Sequence, residues 1–228
     1  MATRARRAER REEPLSRERI VEAAIGILDT VGESGLTFRV LAERLATGPG
    51  AIYWHVSGKD ELLGAATEVV VAGTVLGGDP GATPQEATRA LALRLFDAID
   101  AHPWIGTQLA RSPGRSPMLQ VFEQLGRQVQ ALGVPRPARF TAASALLNYI
   151  LGVGGQNAAN AHGQESEKNR TEFLDTVATT WASLDPEEYA FTRDVAEQLR
   201  DHDDRAEFLA GIDLILAGIA ASRDERRS

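Results

Sequence analysis

The chain has 228 residues, of which 43% are hydrophobic and 25% are charged, a composition typical of a folded protein rather than a disordered one. The absence of cysteine excludes disulfide scaffolds, thiolate zinc sites and cysteine nucleophiles. No apolar run reaches the roughly 18 residues that span a bilayer, and the arginine-rich start lacks the apolar segment of a secretory signal. We therefore expect a cytoplasmic protein without a membrane partner.

Charge is distributed unevenly along the chain. The net charge is −7, yet residues 1–60 carry +1 and residues 61–228 carry −8. Five of the first eleven residues are arginine, which favours a local anionic partner for a basic, disordered arm over residues 1–14. A solvated tail without any partner is the alternative interpretation.

Helical periodicity and capping residues predict four helices in the first part of the chain. The first carries apolar residues at i, i+3, i+4 and i+7 spacing and ends at Gly32 and Gly35. The third holds residues 50–55 and follows a turn in which a small polar cap precedes proline. In the fourth, Asp60 takes the third helical position. The predicted helix starts are Ser16, Thr37, Thr47-Gly48-Pro49 and Ser57.

Further helices are predicted after a Gly/Pro-rich break at residues 77–84. Thr83, Pro84 and Glu86 form a strong helix start, because a cap, a proline at the first position and a glutamate at the third occur together. Polar segments at 112–117 and 163–170 are predicted as loops. The later helices are expected over Trp104 to Ala110, Met118 to Leu132 and Ala138 to Ala161, then from Asp185, and finally from Asp203 or Asp204. With almost no strand signal, the predicted fold class is all-α with nine or ten helices.

The two short helices joined at residues 46–48 have the size and spacing of a helix-turn-helix, whose second helix lies in the DNA major groove. This second helix carries Tyr53, Trp54 and His55, whose hydroxyl, indole N–H and imidazole groups can donate hydrogen bonds to phosphate. The alternative is that Tyr53 and Trp54 are ordinary core aromatics.

Several short motifs occur together in residues 15–63. They are Ala23-Ala24, Gly35-Leu36-Thr37, Leu41-Ala42, Tyr53-Trp54-His55-Val56, and Lys59 followed by Glu61-Leu62-Leu63. With these motifs the segment resembles the DNA-binding module of the TetR family of bacterial transcriptional repressors. The Tyr-Trp-His-Val form is similar to the tetracycline-repressor subclass, and residues 208–216 are similar to its last helix.

The resemblance implies a repressor that binds double-stranded operator DNA as a homodimer and leaves it when a small-molecule effector binds. Residues 15–63 would form an N-terminal head of three helices that contains the helix-turn-helix. Residues 64–228 would form a C-terminal helical bundle for effector binding and dimerisation. Phosphate contacts are expected from Thr37 and Lys59, and base contacts from Arg39, whose guanidinium can bind guanine O6 and N7 together. A solvated Lys59 is the alternative.

Within the recognition helix, Tyr53 and His55 match phosphate-facing positions of the family, and Trp54 is expected to divide between packing and backbone contact. The leading edge departs from the subclass because it lacks long polar side chains. Direct base readout should therefore be limited, with a larger share for thymine-methyl contacts and DNA shape. The groups left for contact with the bases are those of Thr47, Gly50 and Ala51, with Pro49 beside them.

The resemblance also implies dimerisation through the helix at 138–161 and the last helix at 204–222, which would pack on their two-fold mates as a four-helix bundle. The first of these helices carries a broad apolar stripe that suits such packing, made of Ala142, Ala145, Leu146, Tyr149, Ile150 and Val153. Gly152 and Gly155 each cost roughly 1 kcal/mol relative to alanine in a helix, so close helix approach there is expected. A frayed or kinked helix is the alternative explanation of these glycines.

Apolar side chains interspersed with hydrogen-bonding groups predict a small-molecule cavity in the C-terminal part. Because few of these positions are charged, a neutral or weakly polar, hydrophobic effector is expected. Each residue could instead fill the core. The predicted lining consists of Trp104, Gln108, Phe122, Leu125, Asn148 and Trp181.

Metal binding and catalysis find little support in the sequence. No phosphate-binding glycine loop or nucleophile elbow is present, and Asp97 and Asp100 are predicted to form a solvated helix face. A rough alignment puts Gln108 or Leu109 where the tetracycline repressor has a histidine for its magnesium–drug chelate. We therefore expect no metal, no cofactor and no enzymatic activity. The four histidines lack ligand spacing and are His55, His102, His162 and His202.

Two other interpretations remain open from sequence. The chain could be a helical small-molecule-binding or catalytic domain with a vestigial DNA-binding head, which the −7 charge and the limited base-reading edge favour. It could also be a regulator without an effector that responds to a protein partner.

Overall fold

The structure is a computed structural model that describes residues 14–77, 81–111, 116–161 and 167–224. In these ranges it contains helices and turns and no strand, which confirms the all-α class. Two short 3-10 helices cover Arg136–Ala138 and Ala196–Leu199. The α-helices are α1 Arg17–Gly35, α2 Phe38–Arg44, α3 Pro49–Tyr53, α4 Lys59–Val75, α5 Pro84–Ala101, α6 Trp104–Arg111, α7 Ser116–Ala131, α8 Arg139–Ala161, α9 Glu167–Ala182, α10 Ala190–Asp194 and α11 Asp204–Asp224.

Parts of four predicted segments lie outside the described residues. They are residues 1–13 of the basic arm, 78–80 of the Gly/Pro-rich break, 112–115 of one predicted loop and 163–166 of the other. His162 also lies outside the described residues.

Two compact units divide the chain between Thr67 and Glu68, and α4 begins in the first unit and continues into the second. In the first unit, α1 starts where the Ser16 hydroxyl accepts a hydrogen bond from the Arg19 N–H (3.3 Å). It kinks at Gly32, whose φ of +68° suits glycine, and one further short stretch reaches Gly35. The side chains buried in this unit include Ile20, Ala24, Ile27, Leu28, Leu36, Leu41, Ile52, Val56 and Leu62.

Two details of the predicted third and fourth helices are wrong. The residue that caps α3 is Gly48 rather than Thr47, because Pro49 already occupies the first helical position, and α3 ends at Tyr53 rather than at residue 55. In α4, Glu61 rather than Asp60 takes the third position, because the helix begins at Lys59.

In the second unit, α8 lies at the centre and packs against α5, α6, α7 and α11. The predicted capping box of α5 is present: the Thr83 hydroxyl accepts from the Glu86 N–H, and the Glu86 carboxylate accepts from the Thr83 N–H. Arg205 of α11 donates two hydrogen bonds of 3.2 Å to the Asp97 carboxylate of α5. The buried core includes Leu95, Phe96, Ile99, Ile105, Leu109, Val121, Leu125, Leu146, Ile150, Phe208 and Ile212.

The segment between α8 and α11 departs from the prediction. The sequence predicts a loop over 163–170 and no helix before Asp185, whereas α9 covers Glu167–Ala182, so the described residues hold eleven α-helices rather than nine or ten. Arg170 of α9 forms an ion pair of 2.6 Å with Asp204. The Asp185 carboxylate accepts from the N–H groups of Glu187 and Glu188, which forms a local turn, and the next helix begins only at Ala190. Asp203 caps α11 through the Ala206 N–H (2.8 Å), as one of the two predicted starts.

Candidate nucleic-acid interface

The turn between α2 and α3 brings the predicted DNA-binding side chains of these helices into one small motif. The Thr37 hydroxyl caps α2 by accepting a hydrogen bond from the Val40 N–H (3.2 Å). The chain then reverses at Ala46, whose φ of +52° is unusual for a residue other than glycine. A hydrogen bond from the Thr47 N–H to the Ala42 oxygen (3.0 Å) closes the turn. The short α3 follows directly and is anchored by the fully buried Ile52.

The aromatic residues of the recognition segment are largely on the surface. Trp54 is 90% exposed and Tyr53 is 56% exposed, so the interpretation of these two side chains as core aromatics is wrong. His55 is half-buried at the tight turn after α3, where its backbone N–H donates to the backbone oxygen of Ile52 (2.9 Å). Gly50 is exposed, and Thr47 and Ala51 are half-buried. The donor groups of Tyr53 and Trp54 therefore lie where an external partner can reach them.

Arg39 lies on the exposed side of α2. Its side chain is 83% exposed, and its Nε atom lies 4.0 Å from a carboxylate oxygen of Glu43 one turn later. An exposed ion pair of this length contributes little to stability. The guanidinium can consequently exchange Glu43 for an external acceptor at small cost.

Lys59 has a definite structural contact. Its ammonium group donates a hydrogen bond of 2.6 Å to the backbone oxygen of Glu33, at the end of α1. An ammonium group has three donors, so two remain for other acceptors. The sequence motif gave no sign of this contact, because it joins residues 26 positions apart.

Glu61 links the start of α4 to α1. Its carboxylate accepts hydrogen bonds of 2.7 Å from both the N–H and the hydroxyl of Ser57, and a third of 3.2 Å from Arg17. These donors, with the Ser57 backbone N–H as the largest contributor, lower the pKa of Glu61 to about 2. The carboxylate is therefore ionised at all physiological pH values.

One aromatic contact was not anticipated from the sequence. The ring of Phe38, the first residue of α2, stacks on the ring of Tyr53, with centroids 4.4 Å apart and planes within 3°. An aromatic residue directly after a helix cap and a second one at the end of the next helix are the only signals of it in the sequence.

In the second unit, α6, α7 and α8 enclose a cleft of about 680 Å³. Of the six predicted ligand residues, the cleft brings together Phe122 and Asn148. Trp104 and Leu125 are buried in the core, while Gln108 and Trp181 are half-buried away from the cleft. Among the described residues, the lining contains no ionisable side chain and consists of Ala110, Met118, Leu119, Phe122, Phe140, Ser144, Leu147, Asn148, Leu151 and Gly152.

A second apolar cleft, of about 340 Å³, lies between α8 and α11. Ala145, Ile215 and Ile219 line it. Leu146 and Ile150, which the predicted dimerisation stripe included, are fully buried within the chain itself and are not accessible to a partner. The apolar surface of α8 that a second copy could contact is therefore smaller than the predicted stripe.

A third cleft, of about 660 Å³ between α5, α8, α9 and α11, is lined by charged side chains, several of which pair with one another. Asp97 and Asp100 are both exposed, as predicted for a solvated helix face, and each also has a partner: Asp97 accepts from Arg205, and Asp100 accepts from Asn157 (2.8 Å). Among the described residues, no group of three or more histidine, aspartate or glutamate side chains is arranged to hold a metal ion. The described helices also include none that is both long and apolar enough to cross a membrane.

Comparison with known proteins finds two family matches, one within each compact unit of the chain. Residues 20–66 match the family described as bacterial regulatory proteins, tetR family, and residues 77–223 match the tetracyclin repressor-like C-terminal domain. The structure of SCO7222, a TetR from Streptomyces coelicolor, is 61% identical, with a TM-score of 0.82 over 91% of this chain and 99% of that one.

Two more distant proteins are similar over most of the chain. The HTH-type transcriptional repressor DrrR1 of Streptomyces coeruleorubidus is 29% identical over 79% of this chain. The chain spans 65 to 66% of the length of the first curated relatives that it matches. ActR of Streptomyces coelicolor, solved in complex with actinorhodin, shares the fold, with 24% identity, a TM-score of 0.75, and coverage of 92% of this chain and 99% of that one. The two family matches and the similarity to SCO7222 lead to one conclusion: the chain belongs to the TetR family of transcriptional regulators, with a tetracycline-repressor-like C-terminal domain.

Proposed function

We propose that the protein is a non-enzymatic repressor that binds operator DNA as a homodimer and releases it when a small molecule occupies its C-terminal domain. The observation that carries this proposal is the helix-turn-helix of a TetR-family chain with Tyr53, Trp54 and Arg39 exposed beside it. Residues 15–63 would act as the DNA-binding domain, with residues 1–14 as a basic arm. Residues 64–228 would bind the effector and the second copy.

The DNA contacts divide by chemistry. Thr37, Tyr53, His55 and Lys59 would contact phosphates, and Trp54 would contact the DNA backbone. Thr37 keeps its hydroxyl proton for this purpose, since it uses only its oxygen in capping α2. Arg39 would read a base edge in the major groove, because its guanidinium is exposed and held only weakly by Glu43. The backbone around Thr47, Gly50 and Ala51 would lie against the bases.

The cleft between α6, α7 and α8 is the proposed effector site. Its size is within the range of small-molecule pockets, and its lining is apolar except for Ser144 and Asn148. The lining residues that the structure describes carry no ionisable group, which favours an uncharged, largely apolar effector. Trp104, Gln108, Leu125 and Trp181 would then support the site or the core rather than contact the ligand.

The effector would act by favouring a spacing of the two heads that no longer fits two major grooves. A ligand can shift this equilibrium only by its difference in affinity for the two conformations. ActR, which shares this fold, is solved in complex with actinorhodin, and this supports a small-molecule effector for the present chain.

A gel-shift experiment with the DNA that flanks the protein's own coding region tests the DNA-binding part of the proposal. We expect a retarded complex that competitor DNA of unrelated sequence does not remove. Absence of binding at low salt would favour a helical small-molecule-binding protein with a vestigial head.

A thermal-shift screen tests the effector site. Uncharged aromatic compounds should raise the melting temperature of the wild type, and Phe122→Ala should reduce that increase. Phe191→Ala removes a phenyl ring that is exposed outside the cleft and serves as the matched control. Compounds that stabilise the wild type and Phe122→Ala equally would exclude this cleft as their site.

A further inference from the structure

Phe38 is the one aromatic residue in α2, and its ring makes a nearly parallel stack with Tyr53 of α3. The two ring centroids are 4.4 Å apart and the ring planes differ by only 3°. Phe38 is half-buried, whereas more than half of the Tyr53 side chain is exposed. The stack therefore lies at the surface of the helix-turn-helix.

The local fold has other anchors that do not use this stack. The Thr37 hydroxyl already caps α2, and the buried Leu41 anchors that helix. α3 is held by Ile52, which has no exposed surface. The stack thus adds little to the definition of the two helices, and its main effect is on the orientation of the Tyr53 ring.

The Tyr53 hydroxyl makes no hydrogen bond to any described residue, although its ring is held on one face by Phe38. A surface tyrosine without such support would sample several side-chain rotamers, and binding would have to order it. Ordering a side chain in an interface lowers affinity, and a ring that is already ordered avoids this loss.

We propose that Phe38 is a positioning residue for DNA recognition: it holds the Tyr53 ring in the orientation in which the hydroxyl meets a DNA phosphate. This inference rests on the proposed function, because it requires that Tyr53 contacts DNA. Phe38 acts through Tyr53 in this account and makes no essential DNA contact of its own.

A double-mutant cycle tests the inference. The probe is a duplex that the wild-type protein selects from a randomised library, and the measured quantity is its dissociation constant by fluorescence anisotropy. Phe38→Ala in the wild-type background should weaken binding about three- to tenfold, the usual effect of ordering one side chain on binding. Phe38→Ala in a Tyr53→Ala background should change the dissociation constant less than twofold, because the residue on which Phe38 acts is gone.

Three further proteins separate positioning from simple packing. Phe38→Tyr keeps a stacking ring and should retain wild-type affinity, whereas Phe38→Leu keeps apolar volume without a ring and should behave like Phe38→Ala. Phe191→Ala removes an exposed phenyl ring in α10 of the second unit and should leave affinity unchanged. Melting temperatures of all variants show whether each protein remains folded.

The outcomes are distinct. Strong coupling in the cycle, with rescue by Phe38→Tyr, supports the inference. Equal losses from Phe38→Ala in both backgrounds would overturn it, since Phe38 would then act independently of Tyr53. Wild-type affinity of Phe38→Ala would also overturn it while the proposed repressor function stands. Failure of the wild type to select any duplex would instead remove the proposed function and the inference with it.

Discussion

At the scale of single residues, substitutions of Arg39 and Lys59 have the clearest expected effects on DNA binding, and the two effects differ. Arg39→Ala should cost about 1–3 kcal/mol on the preferred duplex and relax sequence preference, because a base-reading guanidinium is lost. Fluorescence anisotropy measures both effects when the preferred duplex is compared with duplexes in which one base pair at a time is changed. An unchanged preference would exclude Arg39 as a base reader.

Lys59→Ala should weaken binding to all sequences alike and reduce its salt dependence, because one phosphate contact is lost. The same change leaves the Glu33 oxygen without its ammonium donor, so the head should also unfold at lower denaturant concentration. Lys59→Arg provides the control, since it keeps the charge. Retention of full affinity by the folded Lys59→Ala protein would limit Lys59 to its structural contact.

Gly211 offers a residue-scale test of the packing in the second unit. A Cβ atom at this position would clash with the side chain of Tyr149, whose hydroxyl donates to the Phe208 oxygen and whose ring stacks on the ring of Phe208. Gly211→Ala should therefore lower the free energy of unfolding by about 1–3 kcal/mol. Gly126→Ala, in open space on α7, should be neutral or stabilising in the same denaturation experiment. Equal effects of the two changes would contradict the described packing of Tyr149.

At the scale of helices, Glu61 makes the start of α4 sensitive to acid. Its pKa is lowered from the ordinary 4.5 to about 2, so the ionised form is favoured in the folded protein. This stabilisation is present above the unfolded-state pKa and is lost as the pH falls from about 4.5 towards 2. Glu61→Gln should consequently be less stable than the wild type at pH 7, and the difference should shrink below pH 4. Unfolding of both proteins followed against pH measures this difference, and a difference that stays constant between pH 7 and pH 3 would contradict the role of the Glu61 carboxylate.

Most helices could be predicted because periodicity and caps agree, as at Ser16, Thr37 and Thr83. Helix α9 could not be predicted, since its polar first turn is supported by an ion pair between Arg170 and Asp204, which are distant in sequence. The motif at Asp185-Pro186 resembles a helix start, but its carboxylate bonds close a turn instead. Local signals fail where a tertiary contact or a competing turn determines the backbone.

The candidate sites were predictable to different degrees. The side chains of the recognition segment could be predicted, because motif matching gives each of these residues a position in a known module. The ligand residues do not, because helical periodicity marks Leu125 of the core and Phe122 of the cleft wall in the same way. The Phe38–Tyr53 stack and the Lys59 contact depend on how helices approach each other, which a single sequence does not reveal.

At the scale of the whole molecule, the repressor is proposed to be a dimer joined through α8 and α11. Ile215 is half-buried in the apolar cleft between these helices, so Ile215→Asp would place an unpaired carboxylate in the dimer contact. Sedimentation should show a monomer without operator binding. Gln130→Glu adds the same charge at an exposed site on α7 and should remain dimeric. An Ile215→Asp protein that still sediments as a dimer would exclude this contact.

The most direct test of the repressor proposal is the selection of duplex DNA by the full-length protein from a randomised library. A dimer with two helix-turn-helix heads should enrich a pseudo-palindrome whose half-sites are separated by about one or two helical turns, roughly 10 or 20 base pairs. Binding to this duplex should weaken steeply as salt concentration rises. Enrichment of no sequence, or of a motif without two-fold symmetry, would contradict the proposal that the protein is a dimeric operator-binding repressor.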